Sequence, residues 1–318
     1  MSFENIQWTW MNGDFVPWAE STVPLSTHAL HYGTGVFEGI RSYRVDGEPA
    51  IFRLDAHLKR LYESAAVYGL RIPFSAEQLT EAICGLIRRN GLTESYIRPI
   101  AYMGAETLGI RAQCSTDTAI LAWPHMAHLS EQSRRRGARL TVSPYRKFDA
   151  RMMPTTAKAC GQYLNSRLAT TEAARRGFDE ALLLDINGNV AEAAVANIFI
   201  VNGHTLRTND EKSSILMGIT RDSILQLAAA EGYDVEVGTT TVEDLRGGDE
   251  VFLCGTACEI VPVAELDDSR IGRVSPGPVT EQIRDAFDRA KTGASPEWGH
   301  WLHRVAIAEI PVATAASK

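Results

Sequence analysis

Apolar side chains along this 318-residue chain recur with two spacings, one fitting helices and one fitting strands, with Gly, Pro and Asn-Gly pairs between. Trp8 to Val16 alternates around Asn12-Gly13, which predicts a hairpin at a sheet edge. Phe52-Arg-Leu-Asp55 leads into a helix with Asp55 as N-cap and Leu58, Leu61 and Ala65 on one face. A second helix opens with a Ser75/Gln78 capping box, turns Leu79, Ile83 and Leu86 inward, and stops at Gly91. Ser95 to Tyr102 and Thr118 to Trp123 read as strands. The period of two puts Tyr96 and Arg98 on one side of the first, and Pro99 marks an edge or an irregularity there.

The second half runs differently. Ala138 to Val142 is a strand and Ser143 to Met153 a loop. Gly161 to Arg176 reads as a helix on the spacing of Tyr163, Leu164, Leu168, Thr171 and Ala174, with Gly177 as its stop. Ala181 to Asp185 is a short apolar strand, Asn187-Gly188 a hairpin turn, and Val190, Ala191 and Glu192 lie on the return strand. Met217-Gly-Ile-Thr-Arg enters a helix with Ile224, Leu227 and Ala228 inward and Gly232 beyond. Glu250 to Leu253 is a buried-type strand, and Gly277 to Arg289 a closing helix. Between the halves, Pro124 to Gly137 is polar and basic, as a linker would be.

The length supports about two domains. The expected division is an N-terminal domain at 1–127, a linker at 128–135 and a C-terminal domain at 136–318. A hydrophobic share of 45% and a charged share of 22% are ordinary for a soluble globular protein. A net charge of -7 argues against nucleic acid as a partner and offers no basic face to a membrane. There is no signal peptide pattern and no apolar run of spanning length. The five cysteines are an odd set without a Cys-x-x-Cys pair, which fits a reducing cytoplasm.

Candidate chemistry centres on Lys158, set among Ala157, Ala159, Cys160 and Gly161 with no acidic neighbour. Such a lysine is either an ordinary solvated charge or a desolvated amine whose lowered pKa suits it to attack a carbonyl. Gly218 before a helix start offers free backbone N–H groups and a positive dipole end, a cradle for phosphate. His28 and His31 lie three apart but lack further ligands, so no metal site is expected. Gly33, Gly35 and Gly39 do not have the spacing of a dinucleotide fingerprint.

The order of these motifs resembles the branched-chain amino acid aminotransferases, pyridoxal phosphate enzymes of the fourth fold type. The resemblance runs from Trp10-Met-Asn-Gly13 to Gly277-Pro-Val-Thr280 and Trp298-Gly299. It implies an α/β fold of two domains, like that of D-amino acid aminotransferase, with the active site between them. It further implies pyridoxal 5′-phosphate held covalently by Lys158, with Tyr163 on the ring's phenolic oxygen and Glu192 on its nitrogen. Arg60, Ile219, Thr220 and Thr256 would bind the phosphate. Tyr96, Thr256 and Ala257 would hold the substrate α-carboxylate, Arg98 the side-chain carboxylate of glutamate, and Phe37 and Gly39 would line the cavity. Tyr32 and Ile110 would complete the pocket of a neighbouring subunit, which makes the expected state a homodimer or higher homo-oligomer.

The implied reaction moves the amino group of leucine, isoleucine or valine to 2-oxoglutarate. D-amino acid or amine transaminases and aminodeoxychorismate lyase resemble the same superfamily. Tyr96-Ile-Arg-Pro99 favours the L-branched-chain group, and the Arg-x-His clamp of D-specific enzymes is absent where Arg98 precedes Pro99 and Ile100. Retention of Lys158, Tyr163 and Glu192 argues against a binding protein without turnover. One departure stands out: His125 and His128 occupy places that often carry tryptophan and tyrosine in this family.

Overall fold

The computed structural model describes residue 3, residues 6–124 and residues 135–306. Among these, eight strands form one sheet and nine another. The first contains β1 (Trp8–Met11), β2 (Asp14–Pro17), β3 (Gly35–Phe37), β4 (Ile40–Val45), β5 (Glu48–Phe52), β6 (Ser95–Met103) and β7 (Thr116–Pro124). The second runs from β8 (Ala138–Arg146) through β9 (Glu180–Leu184), β10 (Val190–Ala193), β11 (Asn197–Asn202), β12 (Thr205–Thr208), β13 (Asp234–Val237), β14 (Glu250–Gly255) and β15 (Glu259–Leu266) to β16 (Ser269–Arg270). The last strand, β17 (Leu302–Arg304), returns to pair with β5 in the first sheet. A single cut at the linker therefore does not separate the two sheets.

The hairpin at Asn12-Gly13 forms as its alternation predicts, with both turn residues at positive φ and β2 at the sheet edge. Helix α1 is His28–Tyr32, α2 is Leu54–Val67 and α3 is Ala76–Arg89, the last opened by the Ser75/Gln78 capping box. Leu58, Leu61, Leu79, Ile83 and Leu86 from α2 and α3 pack on Ile40, Ile97 and Ile120 of the first sheet. Asp55 is not the N-cap of α2. The helix begins two residues earlier than that cap implies, at Leu54, Arg53 occupies the cap in a left-handed conformation, and no side chain caps it. Arg53 instead pairs with Asp222 at 2.6 Å. Nor does Pro99 mark an edge, because β6 is central. Its carbonyl accepts the N–H of Glu38, between β3 and β4, so its missing N–H falls where the partner strand is interrupted.

Helix α4 (Tyr163–Arg175) follows a short 3-10 turn at Cys160–Gln162. Its buried face is Asn165, Ser166, Ala169 and Ala173, while Leu164 and Leu168 are 71% and 50% exposed. The leucine spacing thus pointed to the wrong face. The sheet-facing side uses small residues, Ala169 and Ala173 packing against Ala181 and Leu183 of β9. Asp185 belongs to the turn rather than the strand, accepting the N–H groups of Asn187 and Asn189.

Beyond the hairpin lie α5 (Ile219–Ala230), α6 (Val242–Gly247) and α7 (Pro278–Lys291). A third apolar cluster joins the two sheets. Tyr43 and Phe52 of the first pack with Phe199, Phe252, Ile224 and Phe287 of the second half. His125, His128 and residues 128–134 of the expected linker lie outside the described residues. Arg136 pairs with Asp179 at 2.9 Å.

Candidate active site

A cavity of about 370 Å³ opens along the seam between the two sheets. The segment carrying Lys158 crosses that seam. Lys158 N–H donates to Ser64 Oγ of α2, and its carbonyl accepts Phe37 N–H of β3. A bridge between Val36 and Ala159 fixes the next residue. The Lys158 ammonium or amine lies 2.7 Å from the Tyr163 hydroxyl and 5.2 Å from the centre of the Phe37 ring. Burial, then the Arg60 guanidinium, lowers the Lys158 pKa to about 8, with Glu38 acting the other way. Burial, helped by Glu192, pushes the Tyr163 phenol up to about 12.

At one end of the cavity sits Glu192, 5% exposed on β10. Its Oε1 is 2.6 Å from Lys147 Nζ, and its Oε2 accepts Asn197 Nδ2 at 3.1 Å and Leu216 N–H at 3.2 Å. The same cavity is lined by the start of α5, which begins after Gly218 with no side chain capping it. Ile219, Thr220 and Thr256 line the cavity there, and Arg60 reaches it from α2. A Cβ at 218 would collide with Asn197 Oδ1 and displace the amide that holds Glu192.

Arg60 is not a free cation. Its Nε and Nη2 donate to Glu38 at 2.6 and 2.9 Å, and its Nη1 donates to the Met217 carbonyl at 2.9 Å. Glu38 also accepts His57 Nδ1 at 2.7 Å. Burial would raise the Glu38 carboxyl, but the charge of Arg60 and the contact with His57 outweigh it and hold it well below the usual carboxylate range. Burial pulls His57 down against the opposing pull of Glu38.

The third side of the cavity is Phe37, Gly39, Tyr96, Arg98 and Trp123, with Ala257 opposite on the turn between β14 and β15. Arg98 lies over the Phe37 ring at 4.6 Å and the Tyr96 ring at 5.4 Å, and its Nε is buried without a hydrogen bond. A Cβ at residue 39 would collide with the Tyr96 hydroxyl, so any larger residue there would push that ring out of place. Tyr32 and Ile110 do not reach this cavity and are 42% and 78% exposed. Among the described residues, no group of three His, Cys, Asp or Glu side chains is placed to hold a metal. His28 is instead bonded to Thr34 and the Gly109 carbonyl.

The pattern of the family "Amino-transferase class IV" matches residues 35–266. The chain belongs to the class IV aminotransferases. Other class IV aminotransferases resemble it over nearly the whole length. The branched-chain-amino-acid aminotransferase of Escherichia coli K12 is 41% identical over 308 residues, 96% of this chain and 99% of that one. The enzyme of that name from Pseudomonas aeruginosa is 40% identical over 293 residues, 91% and 95% of the two chains. Among solved structures, the T.th. branched-chain amino acid aminotransferase with pyridoxamine 5′-phosphate has a TM-score of 0.91 at 45% identity, covering 95% of this chain and 99% of that one. The same T.th. enzyme complexed with N-(5′-phosphopyridoxyl)-L-glutamate superimposes at a TM-score of 0.90 and 44% identity over 95% and 99%. No helix among the described residues of this class IV aminotransferase is long and apolar enough to cross a membrane.

Sequence reasoning missed Glu38, His57, Ser64, Lys147 and Asn197. A signal existed for two of them: His57 and Ser64 lie three before and four after Arg60, on one helix face. Lys147 had none, since it lies just past a strand, in a stretch that reads as a loop.

The lowered pKa of Lys158 gives a direct test. A group depressed from 10.5 to about 8 loses its proton through pH 8. In cofactor-free protein, acylation of Lys158 followed by peptide mass spectrometry should be half-maximal near that pH. Surface lysines should still be accelerating up to about 10.4. A Lys158 profile that coincides with theirs would contradict the buried, cation-flanked environment.

Proposed function

We propose that this chain transfers the amino group of L-branched-chain amino acids to 2-oxoglutarate with pyridoxal 5′-phosphate as cofactor. One observation carries the reading. An amine inclined to neutrality, on Lys158, meets the Tyr163 phenol in one cavity with a carboxylate, Glu192, an uncapped helix start and the Arg60 guanidinium. That donor set matches the cofactor end for end. A phosphate dianion suits the N–H groups of Ile219 and Thr220, the hydroxyls of Thr220 and Thr256, and the guanidinium of Arg60. A protonated ring nitrogen suits Glu192, and a phenolic oxygen suits Tyr163. When bound, the cofactor supplies a carbonyl that accepts amino groups and a ring that withdraws electrons from the carbon losing its proton.

The chain's own residues do the rest. Lys158, neutral above about pH 8, holds the cofactor covalently and, once released, moves the proton from the substrate α-carbon. Glu192, kept in place by Lys147, Asn197 and the Leu216 N–H, accepts the ring N–H. Tyr96 and the N–H groups of Thr256 and Ala257 hold the α-carboxylate. The rings of Phe37 and Trp123 give a branched side chain apolar surface, while Arg98, stacked on Phe37 and lining the same cavity, offers its guanidinium to the carboxylate of glutamate. One pocket can thus take both partners in turn. Charge-assisted hydrogen bonds worth roughly 1.5–3 kcal/mol each retain the phosphate while the covalent link is open.

We also propose a homodimer in which Tyr32 and Ile110 complete a neighbour's pocket. Leu25 and Leu30 are 84% and 60% exposed, and Ile110 78%, on adjoining segments tied by His28 to the Gly109 carbonyl. Apolar surface grouped in this way favours association.

Purified protein mixed with L-leucine and 2-oxoglutarate should yield 4-methyl-2-oxopentanoate and L-glutamate, and borohydride should fix the cofactor's mass on the Lys158 peptide. Label on a different lysine, or no leucine-dependent glutamate, would reject the assignment. Glu192→Gln should keep pyridoxal phosphate bound yet lose turnover by about a hundredfold, a transition-state loss of ~3 kcal/mol. Unchanged kcat would remove Glu192 from the ring nitrogen. Light scattering should give at least twice the 34.9 kDa of one chain, and a monomer at assay concentration would refute the shared pocket.

A further inference from the structure

We propose that Glu38 is a positioning residue that aims Arg60 at the phosphate end of the cavity and couples it to the substrate wall. The proposal rests on the reading of Arg60 as a phosphate ligand, and the test below separates the two. Glu38 is 0% exposed and lies in the junction between β3 and β4. Its carboxylate accepts four hydrogen bonds: from Arg60 Nε and Nη2, from His57 Nδ1 and from Gly39 N–H. Its neighbours Phe37 and Gly39 face the cavity, and the Phe37 N–H donates to the Lys158 carbonyl. Three successive residues therefore contact the lysine backbone, the arginine and the substrate wall.

The consequence for Arg60 is geometric. A guanidinium carries five N–H groups in one plane. Three are taken, two by Glu38 and one by the Met217 carbonyl, which leaves one on each terminal nitrogen. With its Nε and Nη2 edge fixed by Glu38, the guanidinium has one N–H on each arm of its terminal fork left for phosphate oxygens. His57, buried on the same helix, braces Glu38 from the other side.

Charge alone predicts the opposite. A carboxylate in contact with Arg60 offsets its charge, so Coulomb attraction would have Glu38 weaken the binding of a phosphate dianion. Positioning has Glu38 strengthen it. The two accounts differ in sign.

The test uses full-length cofactor-free protein and pyridoxamine 5′-phosphate, which cannot link covalently to Lys158, with binding followed by quenching of tryptophan fluorescence. Glu38→Gln should weaken binding roughly tenfold or more. In an Arg60→Ala background the same substitution should tighten binding or leave it unchanged, since only repulsion remains to be removed. Arg60→Lys, which keeps the charge and loses the fork, should bind nearly as poorly as Arg60→Ala. Tighter or unchanged binding in Glu38→Gln alone overturns the positioning role. So does full affinity in Arg60→Lys, a variant that leaves Glu38 untouched and tests the fork even if Glu38→Gln does not fold. Unchanged affinity in Arg60→Ala overturns the phosphate reading itself.

Discussion

An amine attacks a carbonyl only when it is uncharged, and Lys158 has to reach that state in a cavity it shares with three other cations, Arg60, Arg98 and Lys147. Two carboxylates decide how the charges settle. Glu38 is committed to Arg60 and Glu192 to Lys147, each at 2.6 Å. Arg98 has aromatic faces in place of a carboxylate. Lys158 is left with a neutral phenol, so burial and the nearby Arg60 charge lower its pKa without a close counter-charge to restore it. Of the two lysines in the cavity, Lys147 has a carboxylate partner and Lys158 has the Tyr163 hydroxyl.

That allocation depends on the seam between the sheets. Glu38, His57, Arg60 and Ser64 come from the first half of the chain, and Lys147, Lys158, Tyr163 and Glu192 from the second. The face of α2 that holds Glu38 through His57 and Arg60 also accepts the Lys158 N–H through Ser64. Pairs such as Arg41–Glu259 and Arg53–Asp222, and the shared cluster of Tyr43, Phe52 and Phe287, keep the two halves from sliding. Separating them would expose a buried Glu38–Arg60 pair and unpin the lysine together. Glu259 adjoins the turn of Thr256 and Ala257, so one of these cross-seam pairs also anchors a wall of the cavity.

Much of this was legible in order along the chain. The Ser75/Gln78 capping box, the Asn12-Gly13 hairpin and the Asn187-Gly188 turn are local, and the backbone obeys local rules there. Gly218 before a helix start reads as an anion cradle because the cause, free N–H groups at the first turn, is contained in a few successive residues. Lys158 was visible as a lysine among small neighbours open to desolvation, though the Arg60 charge that lowers its pKa further was not. Where local rules failed, a non-local packing demand overrode them. The leucines of α4 face outward because β9 needs alanines against it, and Asp55 gives up the cap because Arg53 is drawn to Asp222.

Sequence by itself determined the elements, the residue types that carry chemistry and their order, since each follows from spacing within a few residues. Tertiary structure alone decided which charges pair. Glu38 lies 22 residues from Arg60, and Lys147 is 45 residues before Glu192, with nothing in either interval to mark them as partners. Ion pairing depends on distance in space and on exclusion of water, and both are fixed only when elements distant in sequence pack together. The same holds for the exposure of Tyr32 and Ile110, because an apolar residue in so short a segment has no periodic neighbours to tell core from surface.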